Sequence, residues 1–174
     1  ISDPDGNGLE IYRDRPRESW HWTNNMVQMA TDPIDLYGLM EEGKRDADPW
    51  EVLPAGTRVG HMHLRVGDIP QAERFYHTVL GFDITARIPS ALFVSAGGYH
   101  HHIGMNIWQS RGAGPAPENT VGLQTFVIAL PNSDALMEVR GRLAAHGIAF
   151  SEQGDEIVVA DPWRNQIRLK VSSR

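Results

Sequence analysis

Apolar and polar positions along the chain follow two periods, and both periods occur twice. From 61 to 66, His61, Met62, His63, Leu64, Arg65 and Val66 alternate in the manner of a half-buried strand. Segment 125–132 lies over 61–68, and each ends in a helix-start signal. Asp68 with Pro70, and Asn132 or Ser133, carry the side-chain oxygens that cap the free amides of a first turn. Ala72, Phe75, Tyr76, Val79 and Leu80 recur at three- and four-residue spacing, which predicts a helix over 70–80. Its counterpart falls over 134–146. Gly81 and Gly147 then stop the two helices where positive φ is cheap only for glycine.

Three strand patterns follow each helix: 82–87, 91–95 and 101–109, then 148–153, 156–160 and 166–171. The order β-α-β-β-β is therefore repeated. It predicts an α+β fold of paired βαβββ modules on curved mixed sheets, with modules at 57–112 and 120–174. A further repeat joins Asp3-Pro4-Asp5-Gly6-Asn7, followed by Leu9-Glu10-Ile11-Tyr12, to Asp161-Pro162-Trp163-Arg164-Asn165, followed by Ile167-Arg168-Leu169-Lys170. Pro sets φ for a turn and Asn tolerates the left-handed backbone. Residues 1–13 are thus expected to be the last strand of a preceding module, and 14–56 a connector. The connector holds one helix candidate, opened by Asp32-Pro33 and running through Leu39 and Met40.

Composition narrows the classes of partner. Hydrophobic residues make up 41% and charged residues 22%, and the net charge is −6 with no basic cluster of the size nucleic acids use. A nucleic-acid surface and an anionic-membrane surface are not expected, and no apolar run approaches the roughly 18 residues of a membrane span. Cysteine is absent, which removes disulfides and thiolate-held metals; the cytoplasm is the default expected location, which zero cysteine permits. An unpaired strand near the start would leave a sheet edge for the missing segment or a homo-oligomer partner to cover.

Phe75-Tyr76-His77-Thr78-Val79-Leu80-Gly81-Phe82 closing the first helix, with two consecutive βαβββ units, resembles the vicinal oxygen chelate superfamily of glyoxalases, extradiol dioxygenases and bleomycin-resistance proteins. Gly60-His61-Met62-His63-Leu64 and the run from Ser95 to Asn106 resemble its two-domain, catechol 2,3-dioxygenase-like branch. So do the opening segment through Tyr12 and the connector stretch 29–39. The resemblance implies metal ligands on the first and last strands of paired modules. By position these are His61 and Glu10, while the second copy offers Thr125 and Arg168, neither of them a metal ligand.

One imidazole and one carboxylate are two thirds of the 2-His-1-carboxylate set of non-haem Fe(II) oxygenases. Set back from Glu10 by the spacing between Thr125 and Arg168, the remaining His is expected upstream of Ile1. The expected cofactor is Fe(II), with Mn(II) or Zn(II) as alternatives, and the expected substrates are a small catechol-type aromatic and O2. His102 and His63 are the candidate acid–base residues; alternation along the expected strand puts His100 and His102 on one face and His101 on the other. Two other functions stay open. A glyoxalase-type isomerase or lyase is disfavoured by the lack of an acidic residue from 99 to 109, and a non-catalytic binding module is compatible with Thr125 and Arg168. His77 and His146 read as structural, His21 as a connector contact, and Arg168 as a partner for a carboxylate.

Overall fold

The two Asp-Pro turns are built alike. In a computed structural model that describes residues 1–30, 32–44 and 53–172, Asp3 Oδ1 accepts from the Asp5 and Asn7 amides and its Oδ2 from Asn7 Nδ2. Asp161 accepts from the Trp163 and Asn165 amides and from Asn165 Nδ2 in the same pattern. The Asp161 turn feeds a strand. The Asp3 turn does not: beyond an isolated bridge between Ser2 and Gly8, residues 9–12 run without a sheet partner, so the strand pattern is not realised there. A strand needs a neighbour to take up its backbone groups; Leu9 bonds back to Ile1, and beyond it none of the described residues forms a ladder with residues 10–12.

The connector is more structured than expected. Strands β1 (Trp22–Thr23) and β2 (Met26–Val27) form a two-residue hairpin in which Asn24 and Asn25 take φ of 52° and 61°. Helix α1 (Leu36–Gly43) is opened by Asp35, whose side chain accepts from the Gly38 amide, rather than by Asp32-Pro33. Connector residues 31 and 45–52, and residues 173–174 of the last module, lie outside the described residues.

Two βαβββ units follow. The first comprises β3 (Met62–Arg65), α2 (Ile69–Glu73) running on as a π-turn (Arg74–Val79), β4 (Asp83–Ile88), β5 (Ala91–Ser95) and β6 (Ile103–Asn106). The second comprises β7 (Thr125–Leu130), α3 (Ser133–Ala145), β8 (Phe150–Gln153), β9 (Glu156–Ala160) and β10 (Gln166–Val171). Asp68 and Asn132 cap the helices through the Gln71 and Ala135 amides, and Gly81 and Gly147 end them at φ of 89° and 65°. The sheets have the same order, β3-β6-β5-β4 and β7-β10-β9-β8, with the first strand parallel to the last and the other neighbours antiparallel.

Alternation decides which face each strand buries. Leu64, Leu92, Val94, Ile103 and Met105 turn toward the helices, where Ala72, Phe75, Tyr76 and Val79 meet Val139, Leu143, Ile157, Ile167 and Leu169 in one core. Arg142 of α3 donates to the carbonyls of Val79 and Leu80, and the buried Tyr76 hydroxyl donates to Asp161 at 2.8 Å. The units are therefore clamped helix to helix. The opposite face of the first sheet carries His63, Phe93, Gly104 and Asn106, in register His63↔Gly104 and Phe93↔Gly104. No helix among the described residues is long and apolar enough to cross a membrane.

Candidate metal centre

His61 stands at the head of the edge strand β3. The chain leaves β5 through Gly97 and Gly98, both in the left-handed region at φ of 64° and 66°, and doubles back before β6 begins. Residues 99–102 form that return as a bend, not as the start of a strand. The Met62 amide donates to the His102 carbonyl and the His102 amide to the Val94 carbonyl, both at 2.9 Å. The bend is thereby pinned across the end of the sheet, beside His61.

Three imidazoles converge there. One ring nitrogen each of His61, His100 and His101 lie within 4.8 Å of one another. Ring centroids are 4.0 Å apart for His61–His101 and 4.8 Å for both His61–His100 and His100–His101. The Nδ1 atom of His101 is buried and has no hydrogen-bond partner. Burial lowers the His61 pKa to about 4, helped by the nearby His100 and His102 and opposed by Asp14. Burial first, then the neighbouring imidazoles, lowers His101 to about 3. Both rings are neutral near pH 7, the form in which imidazole ligates metals. Three neutral donors at one point, one of them a buried nitrogen with nothing to bond, fit a divalent cation.

A second layer fixes this group. Tyr12 stacks on His61 at 4.6 Å between centroids, with 23° between planes. The Tyr99 hydroxyl donates to Asp14 Oδ2 at 2.8 Å and lies 3.1 Å from His61 Nε2. With its only proton committed to Asp14, Tyr99 accepts from His61, which assigns the His61 proton to Nε2 and leaves Nδ1 as the lone-pair nitrogen. Burial, followed by hydrogen bonds to Tyr12 and Asp14, raises the Tyr99 pKa, so the phenol keeps that proton. Asp14 also lies 3.8 Å from His100 Nδ1, and Trp20 meets the edges of Tyr99 and His100.

The sequence candidates occupy different places. His61 is in the convergent group and Glu10 is not: it sits exposed on the unpaired opening segment, and its charge acts on His63. His63 is one alternation step along β3, its Nε2 2.7 Å from Asn106 Nδ2. Asn106 Oδ1 accepts from the Trp108 amide, so the Asn106 amide group donates and the His63 proton is assigned to Nδ1. The expected alternation of the His run is corrected by the bend. His100 and His101 both reach His61, whereas His102 Nδ1 accepts from the Ala96 amide at 3.3 Å and lies 3.0 Å from Ser95 Oγ.

Tyr12, Asp14, Trp20 and Tyr99 were not singled out from the sequence. The Gly97-Gly98 pair was the available signal for a reversal at that point. In the second unit Arg168 pairs with Glu156, and Thr125 Oγ1 is buried without a partner. Among the described residues no metal-binding group forms there.

Paired βαβββ units thus carry a group of imidazoles, at the head of one first strand, that could hold a metal ion. Residues 58–169 match the model of the Glyoxalase/Bleomycin resistance protein/Dioxygenase superfamily, and the chain belongs to that superfamily. It is 46% identical over 166 residues to the catechol-2,3-dioxygenase of Bacillus subtilis (strain 168), a match covering 93% of this chain and 57% of the relative. The chain thus spans little more than half the length of that relative.

Similar solved structures include a glyoxalase/dioxygenase from Nostoc punctiforme, at TM-score 0.55 and 15% identity over 71% of this chain and 98% of the other. A glyoxalase/bleomycin resistance protein/dioxygenase domain from Frankia sp. EAN1pec matches at TM-score 0.53 and 20% identity over 67% and 98%. Lactoylglutathione lyase from Agrobacterium tumefaciens matches at TM-score 0.50 and 18% identity over 67% and 94%. At these identities the likeness concerns the fold alone.

Proposed function

We propose that the chain forms part of a metal-dependent extradiol dioxygenase that opens the ring of a catechol-type aromatic, with His61 as its anchoring metal ligand. The observation that carries this reading is the neutral imidazole group around His61, in a chain 46% identical to a catechol-2,3-dioxygenase. The proposed metal is Fe(II), although Mn(II) and Zn(II) suit the same donors and availability decides among them. Fe(II) held by these residues would supply Lewis acidity toward a phenol and bring the diol and O2 together.

The proposed carboxylate ligand is Glu10. Glu10 stands two residues before Tyr12, whose ring lies on His61, and its charge reaches His63. The second imidazole comes either from His101, already in reach with an unpartnered Nδ1, or from the first strand of a preceding βαβββ unit. The repeat supports such a unit. Leu9 and Ile11 are 46% and 68% exposed, while their counterparts Ile167 and Leu169 are 0% and 1% exposed inside a sheet. Residues 1–13 then act as that unit's last strand.

The chain's own residues supply the proton chemistry. His102 accepts at Nδ1 and so carries its proton on Nε2, where it serves as general acid or base toward bound substrate. Burial lowers its pKa, so it is neutral near pH 7. His63 presents its Nδ1 proton on the same sheet face as a hydrogen-bond donor.

The test is oxygen uptake with catechol by the complete encoded polypeptide, loaded anaerobically with Fe(II). Uptake that disappears in Glu10→Gln supports the assignment. No uptake across several substituted catechols sinks the dioxygenase reading, and full metal retention in Glu10→Gln removes Glu10 from the ligand set.

A further inference from the structure

Beside the imidazole group lies a cavity of about 490 Å³ lined by Arg13, Asp14, Arg15, Arg17, Trp20 and Tyr99. Three arginines within five residues stand out in a chain of net charge −6. They are not equivalent. Arg13 and Arg15 reach Glu42 at 3.5 and 2.8 Å, and Asp14 is engaged by Tyr99 and His100. Arg17 makes no ion pair with any described residue. Its guanidinium carbon lies 5.6 Å from the Trp20 ring centre and 5.7 Å from that of Tyr99, and one of its nitrogens donates to the Gly97 carbonyl at 3.2 Å.

Two aromatic rings and one backbone carbonyl therefore hold this cation in place while most of its five donors stay free. A planar fork held ready in this way matches a carboxylate bidentately. The Tyr99 ring that flanks the guanidinium carries the hydroxyl bonded to His61, so one tyrosine separates the cation from the metal-binding imidazoles.

We propose that this cavity is a carboxylate subsite, and that the preferred substrate is an aromatic diol bearing a carboxylate, bound by Arg17 with its diol end toward His61. The proposal rests on the dioxygenase reading for the identity of the ring, but the anion subsite is tested separately. Titrate the complete polypeptide calorimetrically with phenylacetate and with neutral benzyl alcohol. Phenylacetate binds at least roughly tenfold more tightly, Arg17→Gln abolishes that preference, and Arg17→Lys keeps part of it. In oxygen-uptake assays Arg17→Gln lowers kcat/KM for 3,4-dihydroxyphenylacetate by at least roughly tenfold more than it lowers kcat/KM for catechol.

Equal affinity for the two probes, or an Arg17→Gln chain that binds phenylacetate like the parent, overturns the subsite. Arg17-dependent phenylacetate binding without turnover of any catechol supports the subsite and refutes the dioxygenase reading instead.

Discussion

Removing a single oxygen from Tyr76 should loosen the clamp between the two units. The side chain is 0% exposed, and its hydroxyl donates at 2.8 Å to Asp161, itself 4% exposed. Burial and the Asp161 charge raise the Tyr76 pKa, so the hydroxyl remains a donor throughout the working range. Tyr76→Phe keeps the ring and its packing. It leaves Asp161 with its three donors from Trp163 and Asn165 but strips one bond from a buried carboxylate. A hydrogen bond to a charged group contributes about 1.5–3 kcal/mol. The expected loss is about 2 kcal/mol, a fall in Tm of roughly 4–8 °C for a chain of this length. Urea unfolding followed by circular dichroism reads it as a lower midpoint at constant m. Tyr37→Phe, the same change at a 76% exposed ring, should stay within about 0.5 kcal/mol of the parent. If the two variants unfold alike, Tyr76 does not clamp the units and the reasoning from burial fails.

Two further outcomes follow from the site. A Cβ at Gly104 would stand 3.2 Å from both His63 Nδ1 and Phe93 Cε1, so Gly104→Ala should displace those rings, cost roughly 1 kcal/mol and reduce turnover while metal is retained; unchanged turnover would contradict it. Acid should destabilise the metal-free chain. Unfolded histidine binds a proton near pH 6.5, whereas His61 and His101 in the fold bind one only at about 4 and 3, so the unfolded state holds more protons between those values. Stability is present above about pH 6.5 and falls as pH drops toward 4, by on the order of 1 kcal/mol per histidine after discounting for partial exposure. A chevron series across that window checks it, and a flat profile would contradict it.

The fold was legible where local chemistry agrees with packing. Strands 91–95, 156–160 and 166–171, both helix caps and both terminal glycines stand where the pattern puts them. The Asp-Pro repeat reappears as two hydrogen-bonded turns of one design. Legibility ended where tertiary context decides. Alternation assigned faces to His100, His101 and His102, but the Gly97-Gly98 reversal makes that stretch a bend, and period-two reasoning does not apply to bends. The hairpin over 22–27 depends on two consecutive asparagines at positive φ, a turn signal hidden in a Trp-rich connector. Leu9–Tyr12 satisfies every local rule for a strand yet, past the bonds of Leu9 to Ile1, joins no sheet among the described residues, because pairing is supplied by a neighbour and not by the segment itself. The site followed the same division: His61 could be placed by motif, while Tyr12, Asp14 and Tyr99 arrive from distant positions that only the folded chain brings together.

Metal content of the complete polypeptide measures the central role of His61 most directly. After anaerobic loading with Fe(II) and removal of free metal, the parent protein should hold about one equivalent per chain. His61→Ala should lose it, with affinity down by at least roughly tenfold, while His146→Ala, altering an exposed histidine beyond the end of α3, should bind like the parent. Stoichiometric metal in His61→Ala would contradict the assignment of this histidine as the anchor of the site.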